Sequence, residues 1–154
     1  MNKKLNCAVR FLLGSESDTS INIGLLLFRV VLGIFMLTHG WQKLSNFETL
    51  KLTFADPLGV GSALSLSMII FAELGCSVLI ILGLFTRLAT LPLIFGMAIA
   101  AFVIHAGDGF VQKELPLLYS GMYAVLFFIG AGKYSLDRLL YNWWNKKYPL
   151  NSDE

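Results

Sequence analysis

Charge is scarce in this sequence. Only 14% of its 154 residues are Asp, Glu, Lys or Arg, where soluble domains run near a quarter. The few charges gather at the two ends and in short gaps between uncharged runs, which is the pattern of a membrane protein. A formal net charge of +2, with no basic patch interleaved with aromatics, excludes nucleic acid as a partner. Cysteine is nearly absent: Cys7 and Cys76 stand 69 positions apart, so there is no CxxC pair, no haem-attachment pair and no Cys/His spacing that would hold a metal. Cys76 falls in an apolar run and reads as a small packing residue, with no disulfide expected to the polar N-terminal segment. No nucleotide-binding loop is present, so the sequence shows no redox cofactor of its own. No secretory signal is expected: Lys3 and Lys4 could open one, but Arg10 interrupts the short apolar stretch and no A-x-A site follows.

Long apolar runs are what the sequence has. Four can be read: Asn22–Leu44, Ser62–Leu84, Leu88–His105 and Leu115–Ala131. A spanning helix needs about 20 mainly apolar residues, and the last two runs are the shorter ones. The expected fold is therefore all-α, a transmembrane four-helix bundle. The gaps read as loops: "SNFETLKLTFADPLGVGS" holds Pro57, Gly59 and Gly61, "LFTRL" is a tight turn around Arg87, and "AGDGFVQKEL" leads to Pro116, which suits the first turn of the fourth helix.

Four spans put both termini on one side. That side carries Lys3, Lys4, Arg10, Arg87, Lys133, Arg138, Lys146 and Lys147, against Lys43, Lys51 and Lys113 on the other, eight to three. The positive-inside rule then places both termini in the cytoplasm. After Gly132, Leu136, Leu139, Leu140, Trp143 and Trp144 follow i, i+3, i+4, i+7, i+8 spacing, which predicts a C-terminal amphipathic interfacial helix with Ser135 as its N-cap. Three parts result: a cytoplasmic N-terminal segment (1–21), a membrane domain (22–132) and a cytoplasmic amphipathic tail (133–154).

Two residues within the spans carry charge into the bilayer. Arg29, Gly33, Met36, Gly40 and Lys43 step by 4, 3, 4 and 3 and share one face of the first helix, where the glycines allow a neighbouring helix to come close. Glu73 lies near the middle of the second run, too deep to reach water by snorkelling, and an ionised acid there costs at least about 2.5–3.5 kcal/mol. It must be protonated, paired or facing a wet cavity. Arg29 is taken as the strongly basic residue within reach, so an interhelical Arg29–Glu73 pair is expected, either fixing helix register or handling protons or ligand. His39, Lys43, His105, Asp108 and Glu114 fall near the outer helix ends, with Tyr119 one turn inside. They are either interfacial decoration or a small polar pocket for a quinone head group or an exported anion. No local ligand spacing supports a metal.

These same residues carry a family resemblance. "RVVLGIFMLTHGWQKL" (Arg29 to Leu44) resembles the first-helix signature of the DoxX family of small four-helix membrane proteins. "AELG" (Ala72 to Gly75) followed by "ILGLFTR" (Ile81 to Arg87) is similar to its second helix and turn. His105, "ELPLLY" (Glu114 to Tyr119) and "GAGKYSLD" (Gly130 to Asp137) also match its pattern, so the likeness spans about Leu25 to Arg138. The resemblance implies a bacterial inner-membrane protein. Relatives are described as the membrane subunit of a thiosulfate:quinone oxidoreductase, or in a complex with a sulfurtransferase and a superoxide dismutase.

Three functions follow as expectations. In the first, the chain is a quinone-interacting subunit of an oxidoreductase complex fed by a soluble redox or sulfur-transfer partner. Glu73, Arg29 and His39 would then act at the head group, with Lys43, His105, Glu114 and Tyr119 binding near the pocket mouth. In the second, it is a non-catalytic membrane scaffold whose tail helix recruits soluble proteins. The third is a small proton-coupled transporter, alone or as a homo-oligomer.

Overall fold

The computed structural model describes residues 18–147; Cys7 and the other expectations placed on the first 17 residues lie outside them. All regular structure among the described residues is helical. In chain order the elements are α1 (Asp18–Ser45), the single turn α2 (Phe47–Leu50), α3 (Ser62–Leu82), α4 (Thr86–Ile104), α5 (Phe110–Ile129) and α6 (Leu136–Lys147). α1, α3 and α4 are long and apolar enough to cross a membrane. α5, the fourth expected span, is a helix of 20 residues whose first turns carry Gln112, Lys113 and Glu114. It starts earlier than expected, so Pro116 sits inside the helix rather than in its first turn.

One apolar core joins the long helices: Leu32 and Met36 from α1, Ala72, Cys76 and Ile80 from α3, Leu93 and Met97 from α4, Tyr123 and Leu126 from α5. Cys76 is thus a packing residue. The glycine face of α1 does what its spacing suggested. A Cβ on Gly33 would come within 2.5 Å of Ile81 Cγ1, and one on Gly40 within 2.9 Å of Glu73 Cβ, so α1 and α3 pack close where the face lacks side chains.

Two stretches depart from α-helical geometry. α3 is π-helical at Phe71–Cys76 and α4 ends π-helically at Ala100–Ile104. Such wide turns are rare and are found frequently at functional sites.

The end of the bundle where α1 begins is locked by polar contacts to the chain after α5. α3 stops at Gly83, in the left-handed region at φ 66°. A Cβ there would come 2.5 Å from an Arg29 Nη1, so glycine is required by both backbone and space. The Asp137 carboxylate accepts the Phe85 and Thr86 N–H groups at 2.6 and 3.0 Å, capping α4 from the far end of the sequence. Ser135 Oγ accepts the Arg138 N–H at 3.2 Å and caps α6 as its sequence position suggested.

Candidate functional site: a cavity around the Lys43–Glu73 pair

The expected Arg29–Glu73 pair does not form. Arg29 is buried at the opposite depth, where its guanidinium donates to the carbonyls of Ala131 and Tyr134. It ties the loop after α5 to α1. Glu73 pairs instead with Lys43, whose Nζ reaches both carboxylate oxygens at 2.8 and 2.7 Å. Two causes account for the exchange. Gly40 packs directly on Glu73 and Leu74, which sets Lys43, three residues on, over Glu73. The four-carbon stem of lysine then carries the ammonium inward from the helix end, the reverse of snorkelling outward. The Glu73 side chain is 3% exposed and that of Lys43 26%, so the acid is buried and its partner closes the way to solvent.

Around this pair lies a cavity of about 480 Å³, within the range of small-molecule sites. Its walls come from α1, α3, α4, α5 and the loop before α3, and they are mostly apolar. Polar groups converge at few points: Lys43, Glu73, His39, His105 and Tyr119. The rings of His39 and Tyr119 meet edge to face at 5.9 Å and 87°, and Tyr119 stacks on Tyr123 at 6.2 Å. His105 Nδ1 contacts Asp108 Oδ2 at 2.7 Å. Exposed Met68, Phe95 and Leu115 stand on the rim. Both π-helical stretches contribute to the lining, through Ala72 and Glu73 on one side and Ala100 and Ile104 on the other.

Of the residues singled out by the sequence, Glu73, His39, Lys43, His105 and Tyr119 come together here, while Arg29 and Glu114 lie off the lining. The loop residues Phe54, Pro57 and Leu58 were missed. Their wall is held by Asp56, whose carboxylate accepts from the Ser65 hydroxyl at 2.7 Å and from the Gly61 and Val60 N–H groups at 2.7 and 3.1 Å. The Ser65 bond first, then the backbone bonds, hold the Asp56 carboxyl below the usual aspartate range. An acid six residues before a helix start, with Gly59 and Gly61 between, was the available signal. Below the cavity, the Ser77 and Tyr123 hydroxyls are fully buried and face one another. Among those residues no group of three His, Cys, Asp or Glu side chains could hold a metal.

A helical protein with three potential spans and one polar cluster at the floor of an apolar cavity is the class that this architecture defines. Comparison with known proteins narrows it: DoxX matches over residues 24–106, and the chain belongs to the DoxX family of membrane proteins. It is similar to the inner membrane protein YqjF of Escherichia coli, 29% identical over 131 residues that make up 82% of this chain and 96% of that one. An uncharacterized protein of Haemophilus influenzae is 36% identical over 119 residues, 71% of this chain and 84% of its own length. A second from the same organism is 36% identical over 85 residues, 53% and 54% of the two chains. No solved structure matches the chain.

Proposed function

We propose that the chain is the quinone-interacting membrane subunit of an oxidoreductase complex in the bacterial inner membrane, with α5 as a fourth span and both termini in the cytoplasm. The observation that carries this reading is the cavity: about 480 Å³, mostly apolar, with its polar groups gathered at the Lys43–Glu73 pair. A quinone ring offers two carbonyl acceptors on a flat apolar body. Lys43 and His39 are donors for such carbonyls, Tyr119 presents a ring edge or face to the body, and the apolar rim at Met68 and Phe95 suits an isoprenoid tail leaving toward lipid. When bound, quinone supplies an acceptor for two electrons and two protons.

The protein's own share is binding, orientation and proton handling. Lys43 and Glu73 touch at 2.7 Å, a contact across which a proton can pass. His39, one turn before Lys43 on α1, extends it into the cavity. The apolar walls keep bulk water from the pair. Electrons would come from a soluble redox or sulfur-transfer partner, and α6 would lie at the cytoplasmic interface with Leu139, Trp143 and Trp144 toward the acyl region.

Mass spectrometry of an organic extract of the protein, purified in mild detergent, tests this. Quinone near one per chain, lost in both Glu73→Gln and His39→Ala, is the expected result. Quinone at the level carried by an unrelated helical membrane protein would sink the reading.

A further inference from the structure

At the end of the bundle opposite the cavity, the first turn of α4, the last turn of α5 and the start of α6 enclose a groove of about 880 Å³. Three cations line it: Arg87, Lys133 and Arg138. All three are exposed, and none is ion-paired with a carboxylate among the described residues. The acid in the groove is Asp137, and both of its oxygens already accept the Phe85 and Thr86 N–H groups. Asp137 therefore serves the N-terminus of α4, and its single charge, also felt by Arg29, leaves the three cations of the groove in excess.

The cations keep most of their donors for a ligand. Arg87 gives one N–H to the Phe128 carbonyl at 3.2 Å, and a guanidinium has five. Arg138 lies over the Tyr141 ring at 5.4 Å, which fixes its plane without using its hydrogen bonds. Beside the polar Asn22, Thr86 and Ser135, exposed apolar side chains also line it: Phe85, Leu88 and Ile129. The row continues away from the groove as Leu91 on α4 and Val125 on α5, also exposed.

We propose that this groove is a site for an anionic phospholipid. The phosphate sits among Arg87, Lys133 and Arg138, and the acyl chains follow Leu88 and Leu91 on α4 and Ile129 and Val125 on α5. The chemistry has two parts, as the ligand must. Clustered cations beside membrane helices recognise phosphate headgroups. A free inorganic phosphate would use the cations alone and leave the apolar walls uncovered. The site is separate from the quinone cavity and does not depend on its assignment.

Native mass spectrometry of the full-length protein, in detergent with equal amounts of phosphatidylglycerol and phosphatidylcholine, reads the preference directly. Wild type is expected to retain phosphatidylglycerol over phosphatidylcholine. Lys133→Gln and Arg138→Gln should each weaken that preference about fivefold, and both residues are exposed enough for the fold to survive. Lys51→Gln and Lys113→Gln, at the other end of the bundle, should leave it unchanged. Equal retention of the two lipids by wild type overturns the proposal, as does an undiminished preference in the Lys133→Gln/Arg138→Gln double variant or an equal loss in the two controls. Millimolar inorganic phosphate that displaces the lipid completely would make the groove a site for free anions and overturn the lipid assignment. Should the double variant not fold by circular dichroism, Lys133→Gln alone, at an exposed position, decides the question.

Discussion

A buried carboxylate is tolerated only with its partner, and Glu73 has one whose loss can be measured. Lys43→Met would strand the acid in an apolar cavity wall. Breaking a buried pair this way costs about 3 kcal/mol, so the thermal midpoint in detergent should fall clearly. Lys43→Met combined with Glu73→Leu removes both charges and should recover most of that loss. A double variant no more stable than Lys43→Met would show that the pair is not the source. Asp56 makes a second prediction at this scale. Its carboxyl is held below the usual range by Ser65 and the Gly61 and Val60 amides, so the charged form is the one favoured by the fold. That contribution is fully present above the ordinary aspartate pKa and is lost as pH falls through the lowered one. Protease cleavage within residues 51–61 should therefore rise on acidification, and Asp56→Asn should be cut readily at neutral pH. Insensitivity of cleavage to pH in wild type would count against this.

At the scale of elements, glycine position decides how α1 and α3 meet. Gly40→Ala would bring a methyl 2.9 Å from Glu73 Cβ and 2.8 Å from Leu74 Cγ, forcing the helices apart at a cost of about 1–3 kcal/mol. Gly24→Ala, with nothing within 4 Å of its Cβ, should be neutral or stabilise by up to about 1 kcal/mol. Thermal unfolding of the two variants side by side checks both signs. This face was legible in the sequence because the helical repeat alone places Arg29, Gly33, Met36, Gly40 and Lys43 together. Which of its two cations meets Glu73 was not. The answer depends on the register of α1 against α3, and the partners that Arg29 does take are backbone carbonyls more than 100 residues away. Every residue has a carbonyl, so no side-chain pattern advertises one. The π-helical turns were equally silent, since "FAELGC" and "AAFVI" read as ordinary apolar helix. The ends of α3 and α4 lay within two residues of expectation, where Gly83 and Arg87 mark the turn. The start of α5 was placed five residues late because Pro116 was read as a boundary.

For the whole molecule, the lock between the chain's two ends sets what can be removed. Truncation before Ser135 deletes Asp137, which caps α4, and exposes the carbonyl partners of Arg29. It should therefore lower the thermal midpoint of the membrane domain as well as remove α6. Truncation after Tyr141 keeps Ser135, Asp137 and Arg138, and should leave that midpoint within about 0.5 kcal/mol of wild type. A scaffold role for α6 is better examined with the second truncation, because loss of partner capture by the first would conflate docking with unfolding. Equal stability of the two truncations would mean that Asp137 and Arg29 do not bind the ends together.

The wide turn at Phe71–Cys76 also bears on how chains of this kind should be matched to one another. A π-helical turn is, in effect, one residue more than the α-helix around it needs. Drop a residue there and Ser77–Leu82 would rotate by about 100° relative to Ser62–Ile70, turning Ser77 and Ile80 out of the core while leaving the first half of α3 in place. A homologue lacking the extra residue would thus keep either its Glu73 equivalent or its Gly83 equivalent in register, but not both. A one-residue gap falling inside this stretch would then mark a change in cavity shape, and not an alignment error.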